Sequence, residues 1–181
     1  MTWTSNISFA VGDNLDRNED GLLGNGLFQD RVLEINYDRK LMIVRDSLPI
    51  IPAGYSRQTM VLDGVVPLVK ASIVLGNETF TDWYMFDTGY SGQLRISATI
   101  SERYALNDKA PRAFNPFKKT FVLPHFRIGE QRVDNLRAVV HPIDPGRPFV
   151  GLMGNELLKR FNVILDNRNG YLYLARNGLK D

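Results

Sequence analysis

Apolar and polar residues alternate along most of this chain with a period of two. Val69, Ala71, Ile73 and Leu75 share one face of a stretch whose other face carries Lys70, Ser72 and Val74. That is the pattern of a half-buried strand. Gly76-Asn77 then supplies a hairpin turn. A second strand over residues 79–86 runs directly into Asp87. The same reasoning predicts strands over 32–35, 41–44, 121–123, 125–128, 136–140, 161–165 and 171–174, with 167–170 as a hairpin loop. Helical signal is thin: residues 97–104 form one candidate and 156–160 another, the latter capped by Asn155. Many short strands separated by turns predict an all-β barrel or sandwich with one or two short helices.

The strands carry a repeat. Gly21-Leu22-Leu23-Gly24-Asn25 recurs as Gly151-Leu152-Met153-Gly154-Asn155, an offset of 151 − 21 = 130. Each copy is followed by a short segment, a strand and a hairpin, and residues 6–11 resemble residues 135–140 upstream. The two copies differ in what precedes them. Some ninety residues of strands lead into Gly151, and almost nothing leads into Gly21, so the first copy reads as the end of a unit. The expected division is therefore 1–45 as the C-terminal part of a preceding lobe and 62–181 as a complete lobe. Residues 46–61 read as the connector between them, with Pro49 and Pro52 in it. On this reading the chain begins within a larger protein.

Composition supports a packed core and removes several chemistries. Hydrophobic residues make up 44% of 181, including 10 Phe, 7 Tyr and 2 Trp, which excludes disorder as the starting assumption. The 22 basic and 20 acidic residues leave a net charge of +2, so no nucleic-acid partner is expected. The chain has no cysteine, which excludes disulfides, thiol catalysis and Cys-type zinc sites. No apolar run approaches the roughly 20 residues of a membrane helix, so no membrane span is expected. Met1-Thr2-Trp3-Thr4-Ser5 lacks the basic and apolar regions of a signal peptide. The compartment stays open, and export or a periplasmic location of a longer form is compatible with the sequence.

The candidate chemistry lies at Asp87-Thr88-Gly89, directly after the apolar and aromatic run Trp83-Tyr84-Met85-Phe86. A strand end fixes the carboxylate, Gly89 permits a tight turn, and the Thr88 hydroxyl can tie the loop to a neighbour. Rival sites are weaker. Asp16-Arg17-Asn18-Glu19-Asp20-Gly21 matches the first half of a calcium loop, but Leu27 stands where the bidentate Glu is needed. His125 and His141 are isolated in sequence, and there is no Gly-x-Ser-x-Gly, His-Glu-x-x-His or phosphate-binding glycine loop. No metal and no cofactor is expected.

Phe86-Asp87-Thr88-Gly89, followed 154 − 87 = 67 residues later by Leu152-Met153-Gly154 and a short helix, resembles the retropepsin-like and pepsin-like aspartic peptidases. It is most similar to bacterial retropepsin-like proteins with two lobes in one chain. The resemblance covers residues 62–181 as a whole lobe and 1–45 as the end of another. It implies a retropepsin-like (acid protease) closed barrel with Asp87 as a catalytic residue. Thr88, Gly89, Tyr90 and Ser91 would form the active-site loop, and Leu152, Met153 and Gly154 a supporting loop. Tyr90 departs from the family, which usually has a small residue there. The implied reaction is peptide hydrolysis by a water held between two aspartates, one protonated and one ionised. This chain has one Asp-Thr-Gly; Asp46-Ser47 is followed by Leu48, and Asp63-Gly64 lacks the hydroxyl residue. The second aspartate would come from a missing amino-terminal lobe or from a second copy, as a homodimer, with a peptide or protein as substrate. The alternative is a non-catalytic retropepsin-like binding or interaction module. The resemblance puts a substrate-covering flap over 105–119, where the sequence has no signature from which to read a substrate preference.

Overall fold

The structure, a computed structural model, describes residues 23–179. The calcium-loop-like segment 16–21, the upstream match over 6–11 and the first two residues of the first Gly-x-x-Gly-Asn copy lie outside the described residues.

Among the described residues, eleven strands make one continuous sheet: β1 (Val32–Asn36), β2 (Leu41–Arg45), β3 (Ser56–Asp63), β4 (Val66–Leu75), β5 (Glu78–Phe86), β6 (Leu94–Ile96), β7 (Thr120–Ile128), β8 (Gln131–Val140), β9 (Gly151–Met153), β10 (Phe161–Asp166) and β11 (Tyr171–Arg176). Between them lie a 3-10 turn at Asn25–Phe28 and the helices α1 (Ala98–Arg103), α2 (Leu106–Lys109) and α3 (Asn155–Leu158). The expected one or two helices are three. The third, α2, has four residues and is entered through Ala105 in the left-handed region, too short for a helical period to register. The segment read as a connector is irregular only as far as Tyr55, since β3 begins at Ser56.

Strand order is β2-β1-β10-β11-β3-β4-β5-β9-β6-β8-β7, and β4 also pairs with β7. That last pairing, with Ile73 opposite Phe126, closes β4, β5, β9, β6, β8 and β7 into a six-stranded barrel. Closure removes the exposed edges that these six strands would carry as an open sheet. The alternation predicted for β4 is realised: Val69, Ala71, Ile73 and Leu75 are buried, while Lys70 is exposed. The interior is filled by side chains such as Tyr84, Leu94, Phe121, Phe126, Leu136 and Met153, all fully buried. Tyr84 meets Phe126 edge to face with centroids 5.4 Å apart, a favoured aromatic geometry. β7 runs unbroken through Pro124, where two separate strands are predicted. The register is the same on both sides, Leu123 opposite Leu136 and His125 opposite Asp134. Pro124 therefore sits at the one position where the ladder forms no pair.

The sheet continues beyond the barrel through β3, whose first half pairs with β11 and whose second half pairs with β4. Here the repeat takes physical form. The 3-10 turn at Asn25–Phe28 and α3 at Asn155–Leu158 differ by the repeat offset, 155 − 25 = 130, as do the starts of β2 and β11, 171 − 41 = 130. β1 pairs antiparallel with β10 so that Glu34 stands opposite Ile164, again 130 apart. An offset and a register that coincide at one pair define a local two-fold axis through it. The axis exchanges Leu33↔Leu165 with Ile35↔Val163. It also relates side-chain contacts: Asn25 Nδ2 donates to Asn167 Oδ1 at 3.3 Å, and the Tyr37 hydroxyl donates to Asn155 Oδ1 at 2.8 Å.

The β1–β2 hairpin thus covers the edge of β10, and Phe28 and Leu33 join the main core. A chain lacking residues 1–45 is expected to expose that edge and to aggregate on sedimentation. A soluble monomer with an unchanged melting temperature would show that the hairpin is dispensable.

Candidate active-site loop

Asp87 leaves the barrel at the end of β5, and its placement follows from β9. Tyr84, Met85 and Phe86 pair in parallel with Gly151, Leu152 and Met153, and the next backbone N–H, that of Asp87, donates to the Met153 carbonyl at 3.0 Å. The loop then turns on itself. The Gly89 N–H donates to Asp87 Oδ1 at 3.0 Å, and the Tyr90 N–H donates to the Asp87 carbonyl at 3.3 Å. One carboxylate oxygen is thereby fixed by a backbone donor. Asp87 is half-buried and makes no salt bridge among the described residues. Thr88, Gly89 and Ser91 are exposed, and the Thr88 hydroxyl makes no hydrogen bond among the described residues.

Leu152, Met153 and Gly154 lie beside this loop and clamp it. The Gly154 N–H donates to the Gln93 carbonyl at 2.9 Å, and the Asn155 N–H to the Tyr90 carbonyl at 2.7 Å. A Cβ on Gly154 would stand 2.2 Å from the Gly92 carbonyl oxygen and 2.5 Å from Tyr90 Cδ1. That closeness is why glycine is present: the two loops touch backbone to backbone. α3 starts with Gly154 as its cap and makes no side-chain capping bond. The cap assigned from sequence to Asn155 is therefore corrected by one residue, because the Asn155 side chain is already engaged by Tyr37.

Tyr90, the bulky departure, is accommodated by its neighbours. Its hydroxyl occupies space that a Cβ on Gly92 would enter at 2.2 Å, and the Arg95 guanidinium carbon sits 4.2 Å from its ring centroid, a cation–π stack. Arg95 and Gln93 belong to the site and were not picked out from the sequence. Gln93 also accepts the Arg137 N–H on its side chain at 2.7 Å. The only sequence sign of this arrangement is Gly92, two residues past a large ring, and its meaning depends on a partner 62 residues away.

The rival residues lie elsewhere. His125 Nδ1 is 2.7 Å from Asp134 Oδ1 on the exposed outer side of β7 and β8. Hydrogen bonds from Arg132, then from His125, hold the Asp134 carboxyl below its ordinary range. His141 Nδ1 lies 2.8 Å from the Pro142 carbonyl. Tyr104 donates to Asp82 at 3.1 Å, and burial, then the Asp82 charge, pushes its phenol up to about 12. None of these groups adjoins the Asp87 loop in the pairing of strands.

No protein-family model and no curated protein sequence matches the chain. Solved structures do. An aspartic proteinase from Irpex lacteus superposes with a TM-score of 0.54 at 14% identity, over 83% of this chain and 57% of that one. Basic 7S globulin from soybean gives 0.54 at 11%, over 83% of this chain and 52% of that one. A retropepsin-like aspartic protease from Rickettsia conorii gives 0.47 at 21%, over 68% of this chain and 90% of that one. The chain thus spans little more than half the length of the first two. The closed barrel and the two superpositions at a TM-score of 0.54 establish that the chain has the aspartic-proteinase fold.

Proposed function

We propose that this chain is a lobe of an aspartic endopeptidase, with Asp87 as one of two carboxylates that hold and activate a water. The observation that carries the reading is the Asp87 loop itself. A carboxylate is held at a strand end by a backbone donor and clamped by Met153 and Gly154, and its Thr88-Gly89 side is open to solvent. The ionised carboxylate takes a proton from the water as it attacks the peptide carbonyl; the protonated one donates to the carbonyl oxygen. Two like charges a few ångströms apart do not both ionise readily, so the pair holds one proton in the acid range. One lobe supplies one aspartate. The second comes from an amino-terminal lobe preceding residue 45 or from another copy of the chain, and the exposed Thr88 hydroxyl supports a loop that meets a partner. The substrate is a peptide or protein.

The test is peptide cleavage across pH with sedimentation in the same buffers. A monomer of this chain is expected to be inactive. Cleavage, fastest at acid pH, is expected only where the chain self-associates or a preceding lobe is supplied. Cleavage by a demonstrated monomer rejects the shared-proton mechanism. Inactivity of a folded two-lobed form favours a non-catalytic binding module instead.

A further inference from the structure

The repeat leaves one glycine unexplained. Gly24 and Gly154 stand 154 − 24 = 130 residues apart, both extended, at φ −69° and −94°. The carbonyl of each accepts the N–H three residues on, from Leu27 at 3.1 Å and from Leu157 at 3.0 Å. Gly154 is glycine because the Asp87 loop presses on it. A Cβ on Gly24 would meet nothing within 4 Å, and its φ is one that any residue adopts. Nothing among the described residues therefore requires a glycine there. Apolar residues of the same copy show a matching contrast. Leu23 is 62% exposed and Met42 53%, whereas the residues 130 further on, Met153 and Leu172, are fully buried.

The local axis says what covers the second set and not the first. Val44 packs on the main core, as do Leu172 and Leu174, and Met42, two residues before Val44, lies on the same face of β2. β11 carries the barrel on that face and pairs along its outer edge with residues 56–59 of β3. The matching edge of β2, residues 41–44 (171 − 130 = 41, 174 − 130 = 44), has no strand beside it among the described residues. What the axis calls for is a barrel of the same kind, with a strand in the place of β3 and a loop against Gly24. A second copy of this chain does not fit. Its barrel already holds its own β10–β11 hairpin, in the position that β1–β2 would take. A barrel without a terminal hairpin does fit, because β1–β2 completes it.

We propose that Leu23, Gly24 and the outer edge of β2 dock a second barrel of this fold that has no terminal hairpin of its own, and that Gly24 receives a loop of that barrel as Gly154 receives the Asp87 loop. The repeat offset puts this barrel upstream in sequence, at 87 − 130 = −43 for the counterpart of Asp87. The partner is then a preceding lobe and not another copy. Docking rests on the fold and the repeat alone; that the docked loop brings the second carboxylate rests on the peptidase reading.

The chain has no cysteine, so single thiols report on this surface. Leu23→Cys and Met42→Cys are made in this chain and in the full-length protein its gene encodes, and maleimide labelling is timed in both over a range of protein concentration. Both thiols are expected to label rapidly in this chain at every concentration, and at least roughly tenfold more slowly in the full-length protein. Amide exchange over residues 41–44 reads the same contact without a substitution and is expected to slow likewise. Gly24→Ala is expected to leave the melting temperature of this chain unchanged or slightly raised. In the full-length protein it is expected to lower it by roughly 5 °C, as overpacking against a backbone does. Equal labelling and exchange in the two forms, or a full-length protein indifferent to Gly24→Ala, overturns the proposal. So does protection that grows with concentration in this chain, which makes a second copy the occupant. Protection in a wild-type full-length protein that cleaves no peptide keeps the docking and favours the binding module. Cleavage by that protein with both positions open does the reverse.

Discussion

Asp87→Asn is expected to remove peptide cleavage from whatever assembly shows it, by roughly a thousandfold or more. The substitution keeps the shape of the side chain and leaves Oδ1 able to accept the Gly89 N–H, now at 3.0 Å. It removes the charge. An amide neither takes a proton from water nor shares one with a second carboxylate. Because Asp87 is half-buried without a salt bridge, no ion pair is broken, and the melting temperature should stay within a degree or two of wild type, about 0.5 kcal/mol. Loss of cleavage with an unchanged fold assigns the carboxylate to the chemistry. Retained cleavage by the Asn variant would remove Asp87 from the mechanism.

Gly154→Ala should produce the largest loss of stability from a single methyl group. Its Cβ would lie 2.2 Å from the Gly92 carbonyl oxygen and 2.7 Å from the Tyr90 carbonyl oxygen, and backbone oxygens cannot rotate away as a side-chain end can. The cost is expected at the upper end of overpacking, about 3 kcal/mol, or roughly 10 °C in melting temperature for a chain of this size. Gly92→Ala makes an instructive contrast. The three nearest atoms to its added Cβ all belong to the Tyr90 ring, at 2.2 to 3.0 Å. Tyr90→Ala is therefore expected to rescue Gly92→Ala and not Gly154→Ala, a double-mutant comparison that thermal denaturation can read. Rescue of both, or of neither, would mean that the clamp is arranged otherwise.

These two positions also mark how far the sequence could be read. The alternation in β4 and β5 identified the strands that carry Asp87, because each is long enough for period two to repeat and each has one buried face. The repeat offset was legible as well, and it survives in the register of β1 on β10. β6 and β9 were not found, since three residues hold no period. β3 reads in part as connector because it follows Pro52 and Gly54 and its inward face begins with the polar Ser56 and Gln58, so its alternation of burial is not one of hydrophobicity. In the site, Asp87 and Gly154 were marked by resemblance, and the pairing of β5 with β9 brings them together. The Arg95–Tyr90 stack was invisible, because a cation over a ring depends on side-chain directions that one-dimensional spacing does not contain.

The pairing of β1 with β10 has a further consequence during synthesis. Val32 faces Asp166, so the first hairpin leaves the ribosome long before the strand it covers. At about 5–20 residues per second that interval is on the order of ten seconds. During it β1 has, among the described residues, only β2 to pair with, and β2 carries Leu41 and Met42 on an edge that remains unpaired even in the finished sheet among those residues. A lone two-stranded hairpin is marginal in water. The hairpin therefore waits on translation for the strand that completes it, and its apolar edge stays open for that interval.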